Sequence, residues 1–435
     1  MADAASRLTA LAEELLSQPL PVRVRAWDGS ESGPPDAPVL VIRRRRALRR
    51  LLWKPGELGL ARAWVAGEID VEGDLYEALG RLAGLLWGRD ADDSVHPVRD
   101  PRARAFARGL LRLAGPWPPP APPAEEVRRR SGPLHTRHRD RQAISHHYDV
   151  GNDFYALVLG PSLVYSCAYW QDGGTLEEAQ RDKLDLVCRK LALQEGDRLL
   201  DVGCGWGSMA IHAARHHGAR VTGITLSREQ AALARKRVAD AGLTDRVEIR
   251  VQDYRDVHDG PYDAISSIGM AEHVGSVRYR EYADDLYALL KPGGRLLNHQ
   301  IARRPERDED AYRIDAFIDA YVFPDGELAP LGRTLTLLEE AGFEARDVEA
   351  LREHYALTLR RWVANLEQHW EQAVRATSPG RARVWRLYMA ASALSFEHHQ
   401  IGVNQILAVR PLDGGASRMP LRARTWTESA GGSGA

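Results

Sequence analysis

The sequence predicts a doubly wound α/β domain on a parallel sheet, preceded by a smaller α+β domain. Three observations carry this reading. The chain has 435 residues, more than one hydrophobic core usually organises. The stretch GPWPPPAPPAEEVRRRSG at 115–132 interrupts it, and proline at that density favours extended chain over packed helix or sheet. Beyond the interruption, short apolar runs alternate regularly with amphipathic ones. The expected division is an α+β domain at 1–114, a Pro/Arg-rich linker at 115–140, the α/β domain at 141–415 and a flexible tail at 416–435.

In the first segment PVRVRAW, PVLVIRR and GEIDVEG read as strands, and LTALAEELL and YEALGRLAGLLW as helices. They contain no catalytic constellation. Two features combine arginine with apolar residues: IRRRRALRR (42–50), and RDPRARAFARGLLRLAG (99–115), where Phe106, Leu110, Leu111 and Leu113 alternate with Arg102, Arg104, Arg108 and Arg112. Such a pattern suits a solvated basic face over core-facing leucines. Arginines snorkelling toward lipid phosphates are the alternative.

In the second segment DRLLDVGCG, ARVTGITL, DRVEIRVQDY, YDAISSIG and GRLLNHQIA are strand candidates, with helices such as SREQAALARKRVADAG between them. FEARDVEAL and NQILAVRPL complete the set, separated by a helical insertion at about 355–398 in which Leu359, Trp362, Val363, Leu366 and Trp370 share one face.

A formal net charge of -1 argues against a nucleic-acid partner, although local basic patches remain possible contacts for anionic headgroups, among them Arg128–Arg130 and Arg137–Arg141. There is neither a secretory leader pattern nor an apolar run long enough to span a bilayer, so a cytoplasmic protein is expected. The three cysteines, Cys167, Cys188 and Cys204, lack paired metal-ligand spacing. His135, His138, His146 and His147 lack a carboxylate or thiolate at useful spacing, so no metal is expected.

DVGCGWG (201–207) lies between an apolar strand and a helix, where backbone must approach a ligand closely. Its glycines are Gly203, Gly205 and Gly207, with Ser208 where a dinucleotide fingerprint needs its last glycine. The D-x-G-x-G-x-G form instead predicts S-adenosylmethionine, with Asp201 in the acidic position. The end of the next strand, where an acid usually holds the ribose, carries TLSREQ with Thr225, Leu226 and Gln230. Asp253 and Tyr254 in QDYRD are candidates for the adenine amine and ring.

From residue 140 onward the chain resembles the cyclopropane-fatty-acyl-phospholipid synthases, which include the mycolic acid cyclopropane synthases. The resemblance is carried by HYDVGNDFYALVLGPSLVYSCAYW, LLDVGCGWG, GITLSREQ, VQDYRD, GMAEHVG, KPGGRLLNHQIA and YVFPDGELAP. It implies a Rossmann-like class I methyltransferase sheet with a helical insertion before the last strand. The implied chemistry is attack by a cis double bond of a phospholipid acyl chain on the S-adenosylmethionine methyl, giving a carbocation that loses a proton and closes a cyclopropane. It implies bicarbonate as base, held by Glu272, by His299 through its side chain, by Cys167 and Ile301 through backbone groups, and by Tyr355. The counter-charge for a carboxylate beside that anion would be His299 or a shared proton. Tyr165 and Ser166 would reach the cofactor, and the aromatics of residues 145–170 would seal a dry site around a cation. The resemblance further implies a homodimer, peripheral to the inner face of the membrane.

One departure stands out. Family members often carry cysteine in a late Y-L-x-A-C-A helix, where this chain has Ser392 in YMAASALSFE. An essential thiol there is excluded, and the change is compatible with a hydride shift giving a methylene product, or a methyl branch after a partner reductase. A small-molecule N- or O-methyltransferase would need no Glu272, His299 and Tyr355 together. A non-enzymatic lipid-binding protein would need no glycine loop.

Overall fold

The computed structural model describes residues 3–87, 100–115, 117–127, 150–309, 312, 314–422 and 424. His135, His138, His146, His147, Arg128–Arg130 and Arg137–Arg141 lie outside them. The chain forms two compact units: residues 1–129, 315–324 and 373–394 make the first, and 130–314, 325–372 and 395–435 the second. The units interleave, whereas the sequence suggests contiguous domains.

The first unit contains helix α1 (Ala4–Leu16), strands β1 (Arg23–Arg25), β2 (Glu31–Ser32) and β3 (Val39–Ile42), helices α2 (Arg46–Trp53) and α3 (Glu57–Val65), strand β4 (Ile69–Glu72), and helices α4 (Leu75–Trp87) and α5 (Pro101–Ala114). Its four strands run in the order β2-β1-β3-β4. The basic run at 42–50 is partly internal: Glu68 is fully buried and receives Arg46 and the buried Arg50, whose Nε lies 2.9 Å from it. Removing either partner of a buried pair typically costs about 3–5 kcal/mol. Along α5, Leu110 is buried while Leu111 is exposed.

The second unit contains α6 (Asn152–Leu159), α7 (Leu176–Leu191), β5 (Arg198–Val202), α8 (Ser208–His217), β6 (Arg220–Thr225), α9 (Arg228–Asp240), β7 (Val247–Val251), β8 (Tyr262–Ile268), α10 (Ala271–Val274), α11 (Ser276–Leu289) and β9 (Leu290–Arg303). Helix α12 (Ala316–Tyr321) belongs to the first unit. Next come α13 (Leu331–Glu340), β10 (Glu344–Ala350), α14 (Arg352–Gln368), α15 (Trp370–Ala376), α16 (Pro379–Glu397) and β11 (Ile401–Val409). The first unit takes residues 379–394 of α16 because Trp64 anchors them. Trp64 Nε1–H donates to the Arg383 carbonyl at 2.9 Å, and the Arg383 guanidinium lies 4.5 Å from the ring centroid and 3.1 Å from Asp70.

The second sheet has the order β10-β11-β9-β8-β5-β6-β7. Pairs among β5–β9 are parallel, and β11 is antiparallel to both β9 and β10. The predicted α/β sheet is therefore present, mostly parallel. Leu199, Leu200 and Val202 of β5 are fully buried, as expected where helices cover both faces. The sheet order reverses between β5 and β8, which opens a ligand crevice at their carboxyl ends.

Trp370 requires a correction. Leu359, Trp362, Val363 and Leu366 form the buried face of α14, but that helix ends at Gln368 and Trp370 starts α15. The tail is anchored as far as Arg424, whose Nε lies 2.9 Å from Asp347.

Candidate active site

The cofactor cavity forms where β5 gives way to the glycine loop. Gly203 and Gly207 have φ of 78° and 80°, a left-handed conformation that a side chain strains. A Cβ on Gly203 would also stand 2.4 Å from Met270 Sδ. Gly207, which the motif places among the cofactor-binding residues, does not line the cavity; it caps α8, and a Cβ on it would stand 3.3 Å from that of Ala234. The cavity is lined by Tyr165, Ser166, Asp201, Gly203, Gly205, Thr225, Leu226, Gln230, Asp253 and Tyr254.

Three details show what the cavity could hold. Asp201 accepts from Ser266 Oγ at 2.8 Å through one oxygen, while its buried Oδ2 lacks a partner. Burial pushes this carboxyl up to about 6. A buried, unpartnered carboxylate oxygen suits a cationic amino group, as S-adenosylmethionine carries. Gln230 is positioned by Ser227, whose Oγ caps α9 by accepting the Gln230 N–H at 3.2 Å, and by Thr225, whose hydroxyl donates to its Oε1 at 2.9 Å. Asp253 is held by Arg255 through both carboxylate oxygens, and its remaining lone pairs can still accept an adenine amine.

Sequence reasoning missed Lys183, Trp206, Met270, His273 and Arg278 in this wall. Trp206 and His273 stand inside quoted motifs, so adjacency was a usable signal. Lys183 had none beyond a charge at an apolar position of α7. Its fully buried ammonium donates to Ser166 Oγ at 2.9 Å, and desolvation brings it down to about 8.

The segment at 150–170 covers this loop. Trp206 Nε1–H donates to Asn152 Oδ1 at 2.8 Å, and Arg237 reaches the carbonyls of both Ser162 and Trp206. Aromatic rings continue outward from the loop: Trp206 to Tyr155 at 4.7 Å, Tyr155 to Tyr165 at 5.6 Å, Tyr165 to Trp362 at 5.3 Å, and Trp362 to Tyr355 at 6.0 Å between centroids.

Tyr355 leads into a second cluster, where β9, β11 and the start of α14 meet. Glu272 Oε1 accepts the Ile301 N–H at 2.7 Å, extending the ladder of β9 just beyond the end of β8. Ile301 is in register with Val403, whose carbonyl accepts from Leu351 N–H at 2.8 Å. The Leu351 carbonyl accepts from Tyr355 N–H at 3.1 Å and faces Cys167 Sγ at 3.6 Å. Short links thus join Cys167, Glu272, Ile301 and Tyr355, with His299 two residues before Ile301. The Ile301 N–H is engaged by Glu272 here, a difference from the role implied for it.

The orientation of His299 follows from its neighbours. Gln405, opposite it in register, accepts from Lys190 Nζ through Oε1 at 2.8 Å, so its amide N–H faces His299 Nδ1 at 3.3 Å. Nδ1 is then an acceptor, which leaves the proton on Nε2. That Nε2 is buried without a partner, as is Glu272 Oε2. Two such atoms suit a small group able both to accept and to donate, as bicarbonate can. Burial, with Lys183 and Lys190 nearby, holds His299 well below the usual histidine range, and burial pushes Glu272 up to about 7. A neutral imidazole cannot be the counter-charge. Cys167 is fully buried and its thiol is pushed well up, which removes it as a nucleophile.

The model of the mycolic acid cyclopropane synthetase family matches residues 135–406. A probable fatty acid methyltransferase of Mycobacterium tuberculosis is 44% identical over 92% of this chain and 94% of its own. A tuberculostearic acid methyltransferase of the same organism is 34% identical over 93% and 92%. Among solved structures, a mycolic acid cyclopropane synthase complexed with SAH and CTAB is 33% identical, with a TM-score of 0.58 over 62% of this chain and 97% of its own.

Proposed function

From the premise that this chain belongs to the mycolic acid cyclopropane synthetase family, and so is an S-adenosylmethionine-dependent methyltransferase acting on lipids, we propose that it adds the methyl carbon to a cis double bond of a phospholipid acyl chain. The observation that carries this is the aromatic series from Trp206 to Tyr355 between the cofactor loop and the Glu272–His299 cluster. An alkene is a weak nucleophile, so its site must be dry and must stabilise positive charge, and π-faces do both.

S-adenosylmethionine would supply the electrophilic methyl group; Asp201, Gln230 and Asp253 would hold it. Bicarbonate would supply the base that accepts a proton from the newly attached carbon. Its holders are His299 through Nε2–H, ionised Glu272 through Oε2, and Tyr355. A hydrogen bond accepted by Glu272 would raise the basicity of that base.

Ring closure gives a cyclopropane. A second reading, a hydride shift before proton loss giving a methylene chain for a separate reductase, is favoured by Ser392 and by the near full-length similarity to a tuberculostearic acid methyltransferase. Incubation with S-adenosylmethionine and vesicles of monounsaturated phospholipid tests both. Released fatty esters should gain one CH2 at the former double bond, and mild hydrogenation should convert a methylene but not a ring. Methylation confined to headgroups would overturn the proposal.

We further propose that the protein works as a homodimer at the inner face of the cytoplasmic membrane. Support for the membrane contact comes from Trp53 and Trp117, 55% and 64% exposed and joined by a 3.3 Å hydrogen bond from the Trp53 indole to the Trp117 carbonyl, on the unit that also exposes Leu111. Indole rings favour the bilayer interface.

A further inference from the structure

Behind the glycine loop, on the α7–α8 layer, lies a cluster that the chemistry above does not use. Cys188 on α7 and His212 and His217 on α8 each offer a ligand atom, all within 4.8 Å of one another. Asp185, one helical turn before Cys188, places Oδ1 3.1 Å from His217 Nε2 and 3.9 Å from His212 Nε2. Single-segment spacing could not reveal this set, because its members come from two helices with strand β5 between them in sequence.

Two features distinguish it from ordinary packing. Cys188 is fully buried and His212 is 9% exposed, yet His212 Nε2 has no hydrogen-bond partner. Finally, Asp185 contacts His217 as outer carboxylates contact metal-binding histidines, fixing the ring and adding negative charge.

We propose that Cys188, His212 and His217, supported by Asp185, form a binding site for a divalent transition metal of the zinc type that fastens α7 to α8. One sulfur and two imidazole nitrogens favour zinc or cobalt over magnesium or calcium, which require several oxygens. The thiolate offsets one charge of the dication, and Asp185, whose other oxygen pairs with Arg189 Nε at 2.8 Å, adds negative charge beside His217. Binding forms the Sγ–metal bond as the Cys188 thiol proton leaves to solvent, while the neutral imidazoles release none. Helix α8 starts immediately after the glycine loop, so the ion would brace the cofactor-binding turn from behind.

The test uses the full chain without a histidine tag, cleared by chelator and titrated with Co2+ in weak buffer. The expected result is one ion per chain, a thiolate-to-cobalt charge-transfer band, tetrahedral ligand-field bands, about one proton released per ion, and a raised unfolding midpoint. His217→Gln, at a partly exposed position, should remain folded by circular dichroism and bind at least about tenfold more weakly. Cys188→Ser should abolish the charge-transfer band. A folded wild-type chain that binds no cobalt saturably, cobalt bound without the sulfur band, or binding that persists unchanged in both variants would each overturn the proposal.

Discussion

The cofactor cavity and the Glu272–His299 cluster lie in the same unit but are built differently. The cavity is made largely by short contiguous runs: residues within 163–166, 201–209, 224–226, 252–255 and 268–274 supply most of its wall, and most of these fall in motifs that can be read locally. The cluster is made by register. Gln405 reaches His299 because β11 pairs antiparallel with β9, and Lys190 reaches Gln405 from α7. A site built by a motif should fail when backbone geometry changes. One built by register should fail more gradually, through misorientation of groups that remain in place.

The largest contrast comes from Glu272→Gln. Its turnover should fall by about 10²–10⁴-fold, while calorimetric S-adenosylmethionine affinity stays within about twofold of wild type, since Glu272 does not line the cofactor cavity. Retained turnover would remove Glu272 from proton handling. Gly203→Ala should show the reverse: the positive φ and the approach to Met270 cost about 1–2 kcal/mol or more, so cofactor affinity should weaken by about tenfold or more.

Gln405→Leu should have an intermediate effect. Loss of the N–H facing Nδ1 frees His299 to adopt the other tautomer, and kcat should fall by about tenfold with little change in KM. Gln405→Asn, which keeps an amide but shortens it, should recover less than wild-type activity and more than leucine does. A merely structural role would instead lower stability without changing the pH profile of turnover.

The pH dependence sharpens the comparison further. Glu272 rises to about 7 in the folded chain, and the proposal requires its ionised form, so kcat/KM should increase as pH rises through about 7 and lose that limb in Glu272→Gln. The stability effect has the opposite sense. A carboxyl raised on folding contributes stability below its unfolded value of about 4.5, and that contribution disappears as pH rises through about 7. The glutamine variant should therefore gain stability relative to wild type over that interval, by about 1–3 kcal/mol at pH 8, measured by denaturant unfolding.

The smallest effect should be at the surface. Trp53→Ala with Trp117→Ala should weaken vesicle binding and turnover on vesicles by several-fold, leaving cofactor affinity unchanged. These substitutions are preferable to deleting residues 1–120. The first unit also includes 315–324 and 373–394, and deletion would strip those segments of the residues they pack against.

Legibility in the sequence follows the same division. The strands β5–β9, the glycine loop and the TLSREQ cap are visible because an apolar run, a turn and a cap are local. Lys183, Gln405 and the Cys188–His212–His217 cluster are not visible, because a buried polar residue in a helix or strand is distinguished only by what lies across from it. Trp370 illustrates the converse: periodicity assigned it to the α14 face, but a break at His369 ended the helix first. The allocation of 373–394 to the first unit depends on Trp64 and Arg383, 319 residues apart, a separation that no linker composition reveals.

The central claim is that the transferred carbon gives up a proton within the active site. S-adenosylmethionine with a fully deuterated methyl, supplied with monounsaturated phospholipid vesicles, tests it directly. The account predicts that the released fatty esters keep two of the three deuterons, whether the product is a ring or a methylene. Retention of all three on the acyl chain or on a headgroup nitrogen or oxygen would contradict it.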